Sequence, residues 1–334
     1  MFARSRDRGL VAIGMSGGEI EIREINSGNV VRSWKGHQGE VSGLVFPSDG
    51  GLVSGSWDGF LKMWDLETGR EVWARDLGGM GVNALVELPG GRVAAGCNDR
   101  TVRVLDLDTG QEIVVCRGHT GVVSAVIALG DLSAGSFASG SGDETIRVWA
   151  SDGTPGRVVE VGSSVLSLFL SPSGGVVAAG CRDGSVRLIR LPEWDAVWSV
   201  NVHTECVRSV SFSPNGRFLA SGSDDKTVKI LSPETGAVLR TLEGHSQRVW
   251  SVLFSQDGTK VLSGSSDKTV RVWRIFWGDE RKVRALCGGL ELNETTVWDR
   301  EALREVTRRA TRLFELDPQE PKEPKEPRGR RRRG

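Results

Sequence analysis

The residues best suited to nucleophilic or acid–base chemistry are one serine motif and four histidines. Gly14-Met15-Ser16-Gly17-Gly18 satisfies the pattern G-x-S-x-G. In a nucleophile elbow this pattern presents a reactive serine at a strand–turn–helix junction and needs a histidine as its base. The histidines are His37, His119, His203 and His245. Acyl transfer is therefore the chemistry to test against the elements that hold these residues.

Those elements argue against catalysis. The serine motif is predicted to lie in a turn between two strands, and all four histidines occupy one position of an internal repeat. The chain has no phosphate-binding loop, no H-E-x-x-H and no dinucleotide-binding fingerprint, and its five cysteines form no C-x-x-C pair. Cys97 and Cys181 share one repeat position and are expected to pack as small residues. We predict no enzymatic activity, no cofactor and no metal.

The repeat is the strongest signal in the sequence. Seven segments align on a glycine, and successive glycines are 40–44 residues apart. These glycines are Gly14, Gly55, Gly96, Gly140, Gly180, Gly222 and Gly264. A polar turn with aspartate and an alternating β-branched segment, such as 269–273, follow in most copies. Period-two alternation predicts strands. With one strand before and one after the central pair, as in 249–254 and 237–242, each unit is predicted to be a four-stranded antiparallel meander.

The repeat resembles the WD-repeat (WD40) family over residues 9–287. In three copies a Gly-His pair is followed 27–30 residues later by tryptophan. The pairs are Gly36-His37, Gly118-His119 and Gly244-His245, and the tryptophans are Trp64, Trp149 and Trp273. The resemblance implies an all-β fold, a seven-bladed β-propeller of four-stranded antiparallel blades.

The resemblance also implies a structural tetrad of His, Ser, Asp and Trp in each blade. Three blades carry all four residues: His37, Ser54, Asp58 and Trp64 in blade 2; His119, Ser139, Asp143 and Trp149 in blade 4; His245, Ser263, Asp267 and Trp273 in blade 7. Blade 6 keeps His203, Ser221 and Asp225 but has Leu231 in place of Trp. Blades 3 and 5 keep only Asp99 and Asp183, and blade 1 has Gly17 for Asp and Arg23 for Trp. A buried Asp requires surrounding donors, which the His ring and turn amides can supply.

A non-enzymatic protein-interaction scaffold is the function that the resemblance implies, with a peptide or domain bound on the top face of the propeller. The candidate partner-binding residues are Trp57, Arg182, Arg208, Asp224, Arg248 and Trp250. Tryptophan and arginine are the residue types that often contribute most at interface centres, and arginine suits an acidic or phosphorylated segment. The alternative is a solvated set of charges around a buried tryptophan. A propeller enzyme is a weaker alternative.

The C-terminal residues form two further segments. Residues 299–316 are predicted to be an amphipathic helix, either docked on the propeller rim or bound to a partner. Residues 317–334 are Pro-rich and charged and are predicted to be disordered. The Arg-rich end, 328–333, could serve in nuclear localisation or bind nucleic acid, which makes a regulatory subunit of a nuclear or RNA-associated complex the alternative function. The overall net charge of zero argues against a whole-domain basic surface. No membrane span is predicted, and the expected location is cytoplasmic, with the nucleus as an alternative.

Ring closure requires an inner strand in blade 1. Residues 1–8 look too short and too charged to supply it. The domain is predicted to span residues 1–298, and 291–297 is predicted to provide the missing inner strand. The alternative is that the true N-terminus is absent from this sequence.

Overall fold

A computed structural model describes residues 1–5, 9–25, 27–48, 50–130 and 135–275 and the backbone of a last strand at 295–298. These residues form 28 strands in seven four-stranded antiparallel sheets, which confirms the predicted seven-bladed propeller. The predicted helix 299–316 and the tail 317–334 lie outside the described residues. None of the described residues forms a helix that is both long enough and apolar enough to cross a membrane.

Each blade runs from an inner strand at the ring axis to an outer strand at the rim, in chain order. Blade 1 contains β1 (Phe2–Arg4), β2 (Leu10–Gly14), β3 (Glu19–Glu24) and β4 (Val30–Lys35). Blade 2 contains β5 (Val41–Val45), β6 (Leu52–Ser56), β7 (Phe60–Trp64) and β8 (Glu71–Asp76). Blade 3 contains β9 (Val82–Leu88), β10 (Arg92–Cys97), β11 (Val102–Asp106) and β12 (Glu112–Cys116). Blade 4 contains β13 (Val123–Ala128), β14 (Phe137–Ser141), β15 (Thr145–Trp149) and β16 (Pro155–Glu160).

The last three blades follow the same plan. Blade 5 contains β17 (Val165–Leu170), β18 (Val176–Cys181), β19 (Ser185–Arg190) and β20 (Asp195–Asn201). Blade 6 contains β21 (Val207–Phe212), β22 (Leu219–Ser223), β23 (Val228–Leu231) and β24 (Val238–Leu242). Blade 7 contains β25 (Val249–Phe254), β26 (Lys260–Ser265), β27 (Val270–Arg274) and β28 (Thr295–Trp298).

The seven repeated glycines lie where each blade packs against the next. A Cβ atom on any of them would lie less than 3.0 Å from a side chain of the following blade. In six blades this neighbour includes the first valine of the next inner strand, for example Val41 against Gly14 and Val123 against Gly96. The repeat therefore keeps glycine here because the inner strand of the next blade fills the space that a side chain would occupy.

The predicted closure of the ring is wrong. Residues 2–4 form the inner strand of blade 1, with Phe2 opposite Ile13 and Arg4 opposite Val11. Residues 295–298 pair with β27 and supply the outer strand of blade 7 instead. Three residues suffice because Phe2 is buried and lies against Gly264, as the valines do at the other junctions. Because β28 pairs antiparallel with β27 in the same blade, the chain does not have to cross the ring to reach the inner position of blade 1.

The outer strands carry a repeated irregularity that protects their free edges. In five blades the pairing with the third strand skips one aliphatic residue, which is exposed to solvent. These residues are Val31, Val72, Ile113, Val197 and Leu239. A β-bulge twists an edge strand and interrupts its hydrogen-bonding pattern, so these positions oppose edge-to-edge association.

Candidate functional site

The two kinds of loop that carry the predicted site residues lie on one face of the ring. His37 precedes the inner strand of blade 2, whereas Asp58 lies in the turn between the second and third strands. The His37 Nδ1 and Asp58 Oδ2 atoms are 3.1 Å apart, so both loops are on the same side. We call this side the top face and the opposite side the bottom face. Inner strands begin at the top face and end at the bottom face.

The tetrad residues of blades 2, 4 and 7 lie within hydrogen-bonding distance of one another. In blade 4 the His119 Nδ1 is 2.8 Å from the Asp143 carboxylate, and its Nε2 is 2.8 Å from the Ser139 Oγ. The Trp149 indole N–H donates to the same Oγ at 2.8 Å. Blades 2 and 7 repeat these contacts at 2.7–3.1 Å.

This network has the order of a Ser-His-Asp triad but not its accessibility. Ser139 is fully buried, and its oxygen already accepts the Trp149 N–H. Burial lowers the pKa of His119 despite the nearby carboxylate. Burial alone would raise the pKa of Asp143, but hydrogen bonds from Thr145, the Thr120 amide and His119 bring it to about 2. A neutral histidine that donates to a carboxylate fits a structural role, since no substrate can reach the hydroxyl.

The serine motif at 14–18 likewise lacks the setting of a nucleophile. It connects β2 to β3 through a turn, and the Met15 N–H donates to the Glu19 carbonyl at 3.0 Å. Among the described residues, no group of three or more His, Cys, Asp or Glu side chains is arranged to hold a metal ion.

Arginine replaces histidine in the two blades that keep only the aspartate. Arg103 donates to the Asp99 carboxylate at 2.8 Å in blade 3, and Arg187 donates to Asp183 at 3.0 Å in blade 5. Each arginine lies four residues after its aspartate on the third strand. This change of partner was not predicted from the sequence, although the Asp-x-x-x-Arg spacing in blades without histidine was the available signal.

Blade 1 lacks the aspartate and uses a different buried pair. Arg23, at the tryptophan position, forms an ion pair with Glu21 on the same strand. Both residues are buried, and Arg23 also donates to the Gly28 carbonyl at 2.8 Å. The other six blades have lysine or arginine at the Glu21 position. The two substitutions in blade 1 therefore compensate each other in charge.

Serine-to-alanine substitutions should separate a complete tetrad from an incomplete one. Ser54→Ala removes the partner of both the His37 Nε2 and the Trp64 N–H, whereas Ser221→Ala in blade 6 affects only the His203 Nε2. We expect Ser54→Ala to lower the free energy of unfolding by about 1–3 kcal/mol for each unpaired buried group, and Ser221→Ala to cost less. Urea denaturation of both variants measures the difference, and equal costs would contradict it.

Three of the predicted partner-binding residues form one closed cluster on blades 6 and 7. The Arg208 guanidinium donates to both Asp224 oxygens, at 2.9 and 2.6 Å, and lies 4.7 Å from the Trp250 ring centroid. The Trp250 N–H in turn donates to the Ser266 hydroxyl at 2.6 Å. The hydrogen bond with Asp224 raises the pKa of Arg208. The charge of Arg208 is thus compensated within the chain, which the sequence alone did not reveal.

The other three predicted residues are exposed on the top face. Arg182 and Arg248 form no side-chain ion pair with another described residue. Trp57 is 50% exposed, and its N–H donates to the Asn83 amide oxygen at 3.2 Å. Two apolar side chains on neighbouring blades extend this area, Met80 at 43% and Val122 at 39% exposure. Met80 was missed because it belongs to a loop that differs from the other repeats.

Comparison with known proteins relates the chain to other repeat proteins. The sequence profile of the "WD domain, G-beta repeat" matches residues 28–65 and 110–150. The profile of the "Anaphase-promoting complex subunit 4 WD40 domain" matches residues 168–257.

Among curated proteins, the chain is similar to three relatives over part of its length. It is 30% identical to the Arabidopsis thaliana protein ROOT INITIATION DEFECTIVE 3 over 179 residues, which is 53% of this chain and 34% of that protein. It is 32% identical to human WD repeat-containing protein 36 over 65 residues, 19% of this chain and 7% of the relative. It is 35% identical to the Saccharomyces cerevisiae APC/C activator protein CDC20 over 82 residues, which is 24% of this chain and 13% of that protein. The chain spans about a third or less of the length of these relatives.

Proposed function

Because the chain belongs to the WD-repeat β-propeller family, we propose that it is a non-enzymatic scaffold that binds a protein partner on its top face. The family consists generally of such scaffolds. The relatives carry names from different processes, so they support a protein-interaction role in general and not one particular complex. The observation that carries the proposal is the exposed set of Trp57, Arg182 and Arg248.

The charged half of this surface suits an acidic segment. Arg182 on blade 5 and Arg248 on blade 7 flank the Arg208–Asp224 pair, and their guanidinium groups are available for bidentate contact with carboxylate or phosphate oxygens. Arg208 differs from the sequence-based expectation, since its guanidinium pairs with Asp224 and lies against the Trp250 ring. The proposed acidic or phosphorylated partner therefore binds chiefly to the two outer arginines.

The apolar half lies on blades 2–4. Trp57, Met80 and Val122 are exposed here. The Asn83 amide accepts the Trp57 N–H at 3.2 Å and donates to the Asn98 oxygen at 2.9 Å. Exposed aromatic and methionine side chains are enriched at protein interfaces. We propose that the partner places an apolar side chain here while its acidic residues reach Arg182.

Charge reversal at both free arginines should abolish partner recovery. In a quantitative affinity pull-down with mass spectrometry, we expect Arg182→Glu/Arg248→Glu to lose partners by about tenfold or more, because each truncated or reversed interface hot spot costs about 2 kcal/mol or more. The thermal unfolding midpoint should not change, since neither side chain is part of the core.

A matched control reverses the same number of charges on the bottom face. Arg217 and Arg274 are both exposed and lie in or beside bottom-face loops. Arg217→Glu/Arg274→Glu should recover the same partners as the unmodified chain. Equal recovery by the top-face variant, or equal loss by the bottom-face variant, would overturn the proposal.

A further inference from the structure

The bottom face has a cavity at the mouth of the central channel that the top-face function does not use. Its volume is about 350 Å³, within the range of small-ligand sites. The ends of the inner strands of blades 1–5 surround it. Its walls are mostly apolar and include Phe46, Ile127, Phe169 and Leu170.

One cation lies at this cavity without a carboxylate partner among the described residues. Arg4 ends β1, is half-buried, and donates one N–H to the Phe254 carbonyl at 3.1 Å. Burial lowers the pKa of Arg4. Arg4 lines the cavity, and its guanidinium forms no other hydrogen bond with a described residue. An incoming anion could therefore gain charge-assisted hydrogen bonds from its remaining N–H groups.

The one carboxylate in the wall is already engaged. Glu87 accepts the Ser48 backbone N–H at 2.9 Å and also bonds the Ser48 hydroxyl. These bonds tie it to the loop that follows the inner strand of blade 2. The cavity thus combines an apolar wall, a cation with no carboxylate partner among the described residues and a carboxylate bonded to Ser48.

We propose that this cavity binds a compact carboxylate with an apolar body, a small molecule whose carboxylate pairs with Arg4. The apolar body lies against Phe169 and Ile127. Removal of apolar ligand surface from water supplies affinity, and the ion pair sets the orientation. This site is on the opposite face from the proposed partner surface and works independently of it.

The test uses 4-phenylbutyrate as the probe and 4-phenylbutanamide as its uncharged analogue. Isothermal titration of the full chain should show saturable binding of the carboxylate and binding at least about fivefold weaker for the amide. Arg4→Gln should reduce carboxylate affinity to that of the amide. Equal affinities for the two compounds, or unchanged carboxylate binding by Arg4→Gln, would overturn the proposal.

Two further variants avoid the structural contact that Arg4 makes with Phe254. Glu87→Gln keeps a side chain that can bond Ser48 but removes a negative charge from the wall, and we expect carboxylate affinity to rise about twofold or more. Phe169→Ala should weaken both compounds together, because it removes apolar wall. No change in either variant would contradict the site, whereas Arg182→Glu/Arg248→Glu should leave probe binding intact and so separates this proposal from the top-face function.

Discussion

Phe2→Ala is expected to destabilise the whole ring by about 3–5 kcal/mol, the usual cost of truncating a buried phenylalanine. Phe2 is 8% exposed and packs with Val11, Ile13 and Leu262 at the junction of blades 7 and 1. Because native domains are stable by only about 5–15 kcal/mol, this loss removes a large fraction of the total. The measurement is the urea midpoint, together with the elution volume on gel filtration.

A phenylalanine away from the junction provides the comparison. Phe60 begins the third strand of blade 2 and is only partly buried. Phe60→Ala should cost less than Phe2→Ala and leave the protein monodisperse. If Phe2→Ala unfolds at the same urea concentration as the unmodified chain, residues 2–4 do not close the ring.

Gly140→Ala should be the most destabilising of the alanine substitutions at the seven repeated glycines. The new Cβ would lie less than 3.0 Å from the Val165 Cγ1 and 3.2 Å from the Leu168 Cδ1, in a fully buried region. Overpacking of this kind costs about 1–3 kcal/mol, because the inner strand of blade 5 must move outward. Thermal and urea unfolding both report the loss.

Two further variants of the chain test the cause of that loss of stability. Gly142, two residues further on, has no atom closer than 3.7 Å to an added Cβ, so Gly142→Ala should be nearly neutral. Val165→Ala removes the opposing methyl groups, and the double variant Gly140→Ala/Val165→Ala should lose less stability than the sum of the single changes. Additive losses would show that the glycine has another role.

The blades could be predicted from the sequence because each repeat contains the residue pattern of its own strands. The period-two pattern of β27 and the glycine ahead of it define a strand pair without reference to any other blade. The tetrad positions follow in the same way, since Asp143 and its equivalents lie three residues after the repeated glycine and each histidine lies 18–21 residues before it. Regular sequence spacing therefore translated directly into regular geometry.

The closing junction could not be predicted by that method because it occurs once. Phe2-Ala3-Arg4 is too short to show alternation, and its role depends on Gly264 at the other end of the chain. The partner of Arg208 was equally hidden, because Asp224 lies 16 residues away in the turn after β22 and meets Arg208 only when β21 and β22 pair in the correct register. Contacts between non-equivalent residues require the assembled ring.

The central claim is that the partner lies on the top face across Trp57, Arg182 and Arg248. Covalent footprinting of exposed arginine and tryptophan side chains, read by mass spectrometry with and without the recovered partner, measures this directly. We predict protection of Trp57, Arg182 and Arg248 in the complex and no change at Arg217 and Arg274. Protection of the two bottom-face arginines, with the top-face residues as reactive as in the free chain, would contradict the account.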